Sequence, residues 1–519
     1  MARKRRFFNP RSMFAIHAWS GFKLGFLLLV VFASGTLATV SHELDWLTRA
    51  ELRVPARQAD YDFPAMLASL RDAFPHADID LLSRPEASGY AAIARIDHPE
   101  LGYRRVFVDP YNGKVLGHAH WYASFQRFLR DFHRYLFLPG YLGIYIVGAA
   151  AFLCLASLIS SFWVYPKWWR GFFRFRAARS GSGGFWKELH KISGVWAMLF
   201  ILVMAVTGVW YVIEYSASLA GQGHIFQFER PGLSEARMSE LAPGTPRIGA
   251  AAAVAAARRE LPDIRIGMVI PPGRAEAAYY ITGQTGAVLV RDRASHVFID
   301  PYDGSILRVQ RASELGPVRR WVDTADPVHF GDFAGLWSKL PYFFFGSGMT
   351  ILSATGMWLR WQRILRMYRR GAQKAAEARK AGMAGWKWAT LVILLSSAVL
   401  GSVQMDRFSG DDAAWTGIGG TRVVTAAGPV EATLMQRTDQ YFLSFRRPIF
   451  VDPKAHVIHL SDCGGAIIGL KDGVHALMPR LQAERTTIRC MVRSARVDAR
   501  GDAALELLAT SSPVSNASQ

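Results

Sequence analysis

Apolar residues fall into five long runs, separated by stretches in which polar and apolar positions are mixed. A helix needs about 20 residues to cross the hydrocarbon core of a bilayer, which is about 30 Å thick. The pattern therefore predicts a membrane α-helical bundle. The predicted transmembrane helices are residues 12–42, 126–165, 186–216, 326–362 and 386–404.

The stretches that follow the first and the third helix have the pattern of small α+β domains. Residues 43–125 and 217–320 each contain a helix-like piece and strand-like runs, and each ends in a D-P-Y-x-G sequence. These residue types form tight turns. One copy would mean little, whereas copies at Asp109–Gly113 and Asp300–Gly304 indicate a duplication. Residues 405–519 are predicted to form a β-leaning C-terminal domain.

The first and third predicted helices share a motif near their starts. His17 and His190 each begin an H-x-x-S-G sequence, and in both copies another glycine, Gly35 or Gly208, lies eighteen residues after the histidine. Self-similarity at a fixed spacing is typical of a duplicated structural unit. We therefore expect these two helices to occupy equivalent places in the bundle.

The second and fourth predicted helices match in the same way. His133 lies thirty residues before Trp163, and His329 lies twenty-nine before Trp358. The fold predicted from these matches is a bundle of four repeated transmembrane helices and an unrepeated fifth.

The formal net charge of +20 has an explanation in membrane topology. Basic residues cluster in the N-terminal A-R-K-R-R sequence and in the loops at residues 166–185 and 363–385. The positive-inside rule places all three in the cytoplasm. We therefore predict a multi-pass protein of the cytoplasmic membrane, with a cytoplasmic N-terminus, α+β domains on the outer side, the lipid bilayer as a partner and no nucleic acid.

The chain contains three cysteines and no C-x-x-C motif, so a zinc or iron–sulfur site built on thiolates is not expected. Cys463 and Cys490 would lie in an oxidising compartment, where they either pair or remain two separate buried thiols. Cys154 is most simply a small packing residue of the second helix.

Four of the fourteen histidines occupy matched positions on the four repeated helices. The topology places His17 and His190 at the cytoplasmic face and His133 and His329 at the outer face. A histidine in or near a span is costly to leave without a partner, and we treat it as a functional candidate. Two facing imidazoles suit the axial positions of a haem iron. The alternative for each histidine is an interfacial side chain hydrogen-bonded to a neighbour.

Other residues would complete two haem pockets. Small residues would let a flat macrocycle enter between helices, although they also permit close helix packing. Aromatic and basic residues near the histidines would flank the porphyrin or pair with its propionates, although both types are also ordinary interfacial anchors. The small candidates are Ser20, Gly21, Gly35, Ser193, Gly194 and Gly208; the aromatic ones are Trp19, Phe132, Trp196 and Trp210; the basic ones are Lys23, Arg130, Arg134 and Lys191.

These motifs resemble the PepSY-associated transmembrane helix family, which includes iron-regulated inner-membrane proteins and siderophore reductases. The resemblance covers about residues 12–365. It rests on F-x-x-H-x-W-x-G from Phe14, D-F-H-R from Asp131, E-L-H-K-x-S-G from Glu188, V-H-F-G from Val328 and the two D-P-Y-x-G turns. It implies a bacterial inner-membrane location, two periplasmic PepSY-like domains and, in reductase members, b-type haems held by membrane histidines.

The leading hypothesis is a transmembrane oxidoreductase with two b-type haems, one between His17 and His190 and one between His133 and His329. Electrons would pass from a cytoplasmic donor to a periplasmic acceptor, namely a ferric chelate or siderophore. No catalytic acid, base or nucleophile is assigned. The alternatives are a membrane-anchored PepSY binding or regulatory protein without a cofactor and a transporter with a polar site at mid-membrane.

Overall fold

The structure is a computed structural model. It describes residues 9–75, 77–98, 101–138, 142–173, 181–226, 231–242, 245–273, 276–370, 377, 385–409, 416–425, 428–437, 440–445, 457–460, 467–469, 487–490, 492–497 and 503–507. From residue 404 onward the description covers the backbone alone.

Helices make up most of the described chain before residue 410. They are α1 (Pro10–Ser20), α2 (Gly25–Thr39), α3 (Ser41–Thr48), α4 (Phe63–Ala73), α5 (Phe125–Tyr135), α6 (Leu142–Val164), α7 (Gly181–Leu219), α8 (Glu235–Glu240), α9 (Ala250–Glu260), α10 (Pro317–Phe330), α11 (Leu336–Tyr368) and α12 (Trp386–Ser409).

Three described helical segments are long and apolar enough to cross a membrane: Leu142–Val164, Gly184–Leu219 and Trp386–Val403. The pair α1 and α2, bent by 63° at a short break, meets the same criterion as one broken span. Helix α11 is long enough but does not meet it, because glycine, serine and threonine residues dilute its apolar run. The repeat of four membrane-crossing helices therefore stays a prediction.

Each of three predicted helices is divided in the structure, and its histidine lies in the first piece. His17 is on α1, His133 on α5 and His329 on α10, while α7 continues without a break past His190. Helices α5 and α10 end in left-handed residues, Leu136 with φ 52° and Gly331 with φ 70°. Each break separates a short helix, which carries the histidine, from the apolar helix that follows it along the chain.

The apolar helices pack into one bundle. Helix α11 lies against both α2 and α7, and α6 lies against α1 and α7. Small residues permit these contacts by letting helix backbones approach closely. A Cβ added to Gly208, for example, would come 2.8 Å from Cβ of Ala151. Cys154 is 9% exposed and packs in the same core as Ala205 and Met349.

The two α+β segments share a single antiparallel sheet. Its strands are β1 (Asp78–Ser83), β2 (Ala92–His98), β3 (Gly102–Val108), β4 (Val115–His120), β5 (Arg265–Ile270), β6 (Tyr279–Gln284), β7 (Ser295–Ile299) and β8 (Ile306–Gln310). The strand order is β4-β3-β2-β1-β5-β6-β7-β8, and the two halves join where β1 pairs with β5.

One hydrophobic core serves both halves of this sheet. It takes in residues of α4 and α9, such as Met66 and Ala257, together with inward residues of the central strands, such as Leu82 and Val269. An isolated four-stranded half would leave an unpaired edge at β1 or β5, and unpaired edges favour association. The sequence pattern predicted two modules, and their fusion into one sheet follows from the pairing of those edges.

Both D-P-Y-x-G sequences form the same turn. The carboxylate of Asp109 accepts a hydrogen bond from the backbone N–H of Tyr111, and Asp300 does the same for Tyr302. Gly113 and Gly304 have φ of 73° and 77°, a left-handed conformation that favours glycine. A Cβ on Gly113 would also come 2.6 Å from the carbonyl oxygen of Ala65. The duplicated turn motif therefore reflects duplicated backbone geometry.

Two polar contacts fix the sheet domain to the bundle. Asp45 on α3 is 3% exposed and caps α5, accepting bonds from Ser124 Oγ at 2.6 Å and from the backbone N–H of Phe125 at 2.6 Å. On the other side, Lys339 of α11 donates to Glu43 at 3.0 Å and Glu86 at 2.7 Å. Since α5 carries His133, the Asp45 cap also helps to position a candidate site residue.

The described residues from 416 onward form antiparallel strands in a six-stranded and a two-stranded sheet. This agrees with the predicted β-leaning domain. Cys463 lies outside the described residues. The strands are β9 (Thr416–Thr425), β10 (Gly428–Arg437), β11 (Gln440–Phe445), β12 (Val457–Leu460), β13 (Ile467–Gly469), β14 (Thr487–Cys490), β15 (Val492–Val497) and β16 (Ala503–Leu507).

Candidate functional site

The structure brings the four predicted histidines together as two pairs. The ring centroids of His17 and His190 are 6.3 Å apart, with the ring planes at 78°. The centroids of His133 and His329 are also 6.3 Å apart, at 32°. The second pair lies at the end of the bundle that carries the sheet domain, which we call the module end. The first pair lies at the opposite end.

In the first half of the chain, each histidine is anchored by its Nδ1 atom to a backbone carbonyl. His17 Nδ1 lies 3.1 Å from the carbonyl oxygen of Ser157 on α6, and His133 Nδ1 lies 2.9 Å from that of Val31 on α2. A carbonyl only accepts, so Nδ1 carries the proton in both rings. The lone pair of each neutral imidazole is then on Nε2.

In the second half, threonine hydroxyls take part in the same anchoring. His190 Nδ1 is 3.1 Å from both the carbonyl of Leu352 and Oγ1 of Thr355, and His329 Nδ1 is 2.7 Å from Oγ1 of Thr207. Both hydroxyls already donate to carbonyls of their own helices, each at 2.7 Å. Each threonine therefore accepts from its histidine, and Nδ1 again carries the proton.

The anchoring links helices within a half of the chain, whereas each pair links the two halves. The His17 and His133 anchors join α1 to α6 and α5 to α2; the His190 and His329 anchors join α7 to α11 and α10 to α7. Each pair then combines one histidine from either half. The two halves must meet for either pair to form.

The sequence motifs predict none of the anchoring hydroxyls, although the repeat contains a signal for them. Ser34 and Thr207 both directly precede the repeated glycines of α2 and α7, and Ser160 and Thr355 follow His133 and His329 by nearly equal spacings. Ser34 Oγ lies 3.4 Å from His133 Nδ1, and Ser160 Oγ 3.5 Å from His17 Nδ1. The signal is that serine or threonine occupies matched positions on all four helices.

The spacing within each pair fits a metal ion held by two imidazoles. Metal–imidazole bonds are about 2.0–2.1 Å long, and ring bonds of about 1.35 Å place each nitrogen about 1.1 Å from its ring centroid. An ion bonded to one nitrogen of each ring would hold the centroids at most about 6.3 Å apart, and both pairs have this spacing. Among the described residues, no group of three or more His, Cys, Asp or Glu side chains gathers as a metal site.

Two glycines lie directly against the histidine rings. A Cβ on Gly35 would come 2.6 Å from Cε1 of His133, and a Cβ on Gly356 would come 3.1 Å from Cε1 of His190. Gly194 instead faces Leu352 at 3.3 Å, so its nearest described neighbour is a packing residue. Of the predicted small residues, Gly35 is therefore placed by the structure in contact with a candidate ligand.

Ser20 and Gly21 belong to the anchoring region of His17. Ser20 Oγ is 2.7 Å from Oγ of Ser157, whose carbonyl accepts from His17. A Cβ on Gly21 would come 3.4 Å from the carbonyl oxygen of His17.

The predicted flanking aromatics pack against other aromatic side chains. The ring contacts, at centroid distances of 5.9–6.2 Å, are Trp19–Trp386, Phe132–Phe128, Trp196–Phe172 and Trp210–Trp321. These contacts fit the alternative interpretation of interfacial and core aromatics.

Two predicted cations lie next to aromatic rings near the module end of the bundle. The Arg130 guanidinium is 5.6 Å from the ring centroid of Phe330, the residue after His329, and that of Arg134 is 5.3 Å from Tyr215. At the opposite end, Lys191 forms an ion pair of 2.5 Å with Glu188. Arg130 therefore contacts the residue next to His329, which places its guanidinium near the His133–His329 pair.

A polar network that was not predicted adjoins the His133–His329 pair. The Tyr211 hydroxyl donates to Oδ1 of Asp326 at 2.6 Å, and Arg291 pairs with the same oxygen at 2.6 Å. The Tyr211 ring meets His329 edge to face at 5.2 Å. Tyr211 therefore connects the histidine to Arg291, a residue of the sheet domain.

A model of the PepSY-associated TM region matches residues 14–363, which is more than half of the chain. The chain belongs to the PepSY-associated TM family. This assignment confirms the resemblance inferred from the motifs, and it agrees with the long apolar helices in identifying a membrane protein. The matched region includes both histidine pairs and the whole eight-stranded sheet, whereas α12 and the C-terminal strands lie beyond it. No curated protein matches the chain.

Proposed function

We propose that this PepSY-associated TM protein is a di-haem oxidoreductase that passes electrons across the membrane. One b-type haem would be held by His17 and His190, and the other by His133 and His329. The observation that carries the proposal is the 6.3 Å centroid spacing found at both pairs. When bound, haem supplies one-electron transfer chemistry, and the protein supplies ligation, burial and electrostatics.

The four Nδ1 anchors give the histidines a defined role in this proposal. Hydrogen bonding of the second ring nitrogen fixes the tautomer and orientation of a ligating histidine and raises its basicity. His17 and His133 obtain this from backbone carbonyls, and His329 from the Thr207 hydroxyl. All four histidines are partly buried.

The two pairs lie at opposite ends of the bundle. His190 and Thr207, the anchor of His329, are on the same helix and seventeen residues apart. At 1.5 Å per residue this is about 25 Å along the helix axis, close to the ~30 Å hydrocarbon thickness. In this proposal one pair serves each surface, and electrons would run from a cytoplasmic donor at the His17–His190 end to the module end.

The acceptor we propose is a ferric chelate or siderophore on the periplasmic side. Addition of one electron converts bound Fe(III) to Fe(II), which is softer and is held less tightly by hard oxygen ligands. Iron would then leave the chelate at the surface formed by the sheet domain. In this proposal the chain itself provides no acid, base or nucleophile.

An absorption spectrum of the dithionite-reduced, purified protein tests the proposal. We expect the paired α and β bands of low-spin haem and a stoichiometry of two haems per chain. His190→Ala and His133→Ala should each reduce the stoichiometry to one. His118→Ala is the matched control, because His118 is an exposed histidine of the sheet domain, and it should retain two.

Two results would contradict the proposal. Absence of haem bands would leave the cofactor-free alternative, a membrane-anchored PepSY binding protein. Two haems in His190→Ala would show that this residue does not hold a haem.

A further inference from the structure

An apolar groove lies between the α1–α2 break, α11 and α12, on the side of α11 away from His190. Its volume is about 560 Å³, and its walls include Phe22, Phe26, Trp358 and Trp361. Phe26, Trp358 and Trp361 are each about half exposed, so the groove is open to the surroundings of the bundle. In a membrane protein those surroundings are lipid.

The fifth helix creates this groove. Lys387, Thr390 and Leu391 of α12 form its outer wall. Helix α12 lies beyond residue 363, where the family match ends. The groove is therefore a property of this chain rather than of the matched region.

Positive charge is concentrated at one end of the groove. Lys387 lines it directly. Lys23 follows the lining residue Phe22 and lies near Arg360, which itself lies near Arg363, and both contacts are repulsive. The Arg363 guanidinium is held 5.1 Å from the ring centroid of Phe14, at the same end of the bundle. These basic side chains give this end of the groove a positive charge that an anionic group would complement.

A buried hydroxyl adds a second polar feature. Thr390 is 3% exposed, and its Oγ1 has no hydrogen-bond partner among the described residues. Thr355 and Thr207, by contrast, both bond to carbonyls of their own helices. Rotation about χ1 would turn the Thr390 hydroxyl toward the groove that the residue lines, where an ester or phosphate oxygen would accept from it.

We propose that the groove binds an anionic phospholipid, with one acyl chain along its aromatic walls and the headgroup phosphate near Lys387, Lys23 and Arg360. The chemistry of the two ends favours this occupant: the walls are apolar, and the charged rim is basic. Basic pockets between transmembrane helices are suited to anionic headgroups. A zwitterionic lipid has no net charge to offset the basic rim, and a quinone lacks a formal charge altogether.

Tryptophan fluorescence provides a direct test, because Trp358 and Trp361 line the groove. The full-length protein in detergent is titrated with phosphatidylglycerol carrying brominated acyl chains, and separately with phosphatidylcholine carrying the same chains. We expect phosphatidylglycerol to quench at lower concentration. Trp358→Phe combined with Trp361→Phe should remove the quenching component, which locates the signal in the groove.

Paired variants separate the roles of the walls and the rim. Ala354→Phe should fill the groove and abolish selective quenching, whereas Val399→Phe, at a lipid-exposed position of α12, should not. Lys387→Gln should weaken phosphatidylglycerol binding about fivefold, since one basic residue contributes about 1 kcal/mol near an anionic lipid. Lys167→Gln, in the exposed loop after α6, should leave binding unchanged.

Several outcomes would overturn the proposal. Equal quenching by the two lipids in the unmodified protein would show that the rim does not select charge, and that comparison needs no variant. Selective quenching that persists in Ala354→Phe would place the lipid elsewhere. A short-chain quinone is also tested as a competitor. If it displaces phosphatidylglycerol, and if its affinity is the same in Lys387→Gln, the groove is assigned to a quinone. Haem content is measured separately on the same samples. Failure of lipid binding can therefore be distinguished from failure of the proposed haem ligation.

Discussion

Gly35 and His133 are in direct contact across the interface between α2 and α5. A Cβ at position 35 would come 2.6 Å from Cε1 of the imidazole and 3.0 Å from its Nδ1. Real Cβ atoms do not approach other atoms so closely, so any larger residue would move the ring. The position of a candidate ligand therefore depends on the absence of a side chain on the neighbouring helix.

Gly35→Ala should displace His133 and weaken the pair that it forms with His329. We expect the stoichiometry to fall from two haems to one, while the stability of the bundle changes little. Gly348→Ala is the control, because Gly348 is a helical glycine of α11 whose added Cβ would meet nothing within 4 Å. Equal haem content in the two variants would show that the close approach of Gly35 has no consequence for ligation.

Thr207→Val should remove the acceptor of the His329 Nδ1–H bond without changing the volume of the side chain much. Loss of such a partner typically reduces metal affinity about 10- to 100-fold. We expect the module-end haem to be released more readily and its midpoint potential to shift, as measured by spectroelectrochemical titration. Thr207→Ser keeps the hydroxyl and should restore both properties; failure to do so would indicate a packing effect of the methyl group.

Asp45→Ala should loosen α5, since the buried carboxylate accepts from Ser124 Oγ and from two backbone N–H groups at the start of that helix. Hydrogen bonds to a charged group and an N-cap suggest a loss of about 2–3 kcal/mol. Thermal unfolding in detergent measures the loss. Asp62→Ala removes the exposed cap of α4 and should lower the free energy of unfolding by about 1 kcal/mol. Equal losses of stability in Asp45→Ala and Asp62→Ala would show that burial does not strengthen the Asp45 cap.

Lys339 pairs with Glu43 and Glu86 between the bundle and the sheet domain. We predict that the stability contributed by this ion cluster depends on pH. Burial alone would raise the pKa of Glu86, but the charges of His42 and Lys339 and the hydrogen bond from Lys339 lower it to about 2 from 4.5. A depressed carboxylate pKa stabilises the fold above about pH 4.5, and this contribution is lost as the pH falls toward 2. Thermal unfolding between these pH values should show the loss.

Glu86→Gln provides the control for this pH dependence. The variant should be less stable at neutral pH, because Lys339 loses a charged partner, and its stability should vary less between pH 4.5 and 2. An identical pH profile for the variant and the unmodified protein would assign the effect to other carboxylates.

The junction of the two sheet halves can be tested by crosslinking. Ser83 on β1 lies opposite Met268 on β5. Directly opposed residues of antiparallel strands have Cα atoms about 4.5–5.5 Å apart, within the range that a disulfide spans. Ser83→Cys combined with Met268→Cys should crosslink under mild oxidation, as detected by peptide mapping. Ser83→Cys combined with Arg308→Cys, on the distal strand β8, should not.

Much of the candidate site could be predicted from the sequence, because membrane topology restricts where a residue can lie. Apolar runs and basic loops assign His17 and His190 to one end and His133 and His329 to the other, and the repeat makes them equivalent. The helix breaks were not predicted, since hydropathy averages over Gly21 and its neighbours and does not register the 63° bend between α1 and α2.

What the sequence determined by itself was the set of local elements: the apolar helices, the two turn motifs with their glycines, and the four matched histidines. Only the tertiary structure decided that the two modules form one sheet through β1 and β5, and that each histidine is anchored within its half but paired across halves. The physical reason is that hydropathy and turn preferences act over a few residues. Strand-edge pairing and the contact of Thr207 with His329 depend on how distant segments pack.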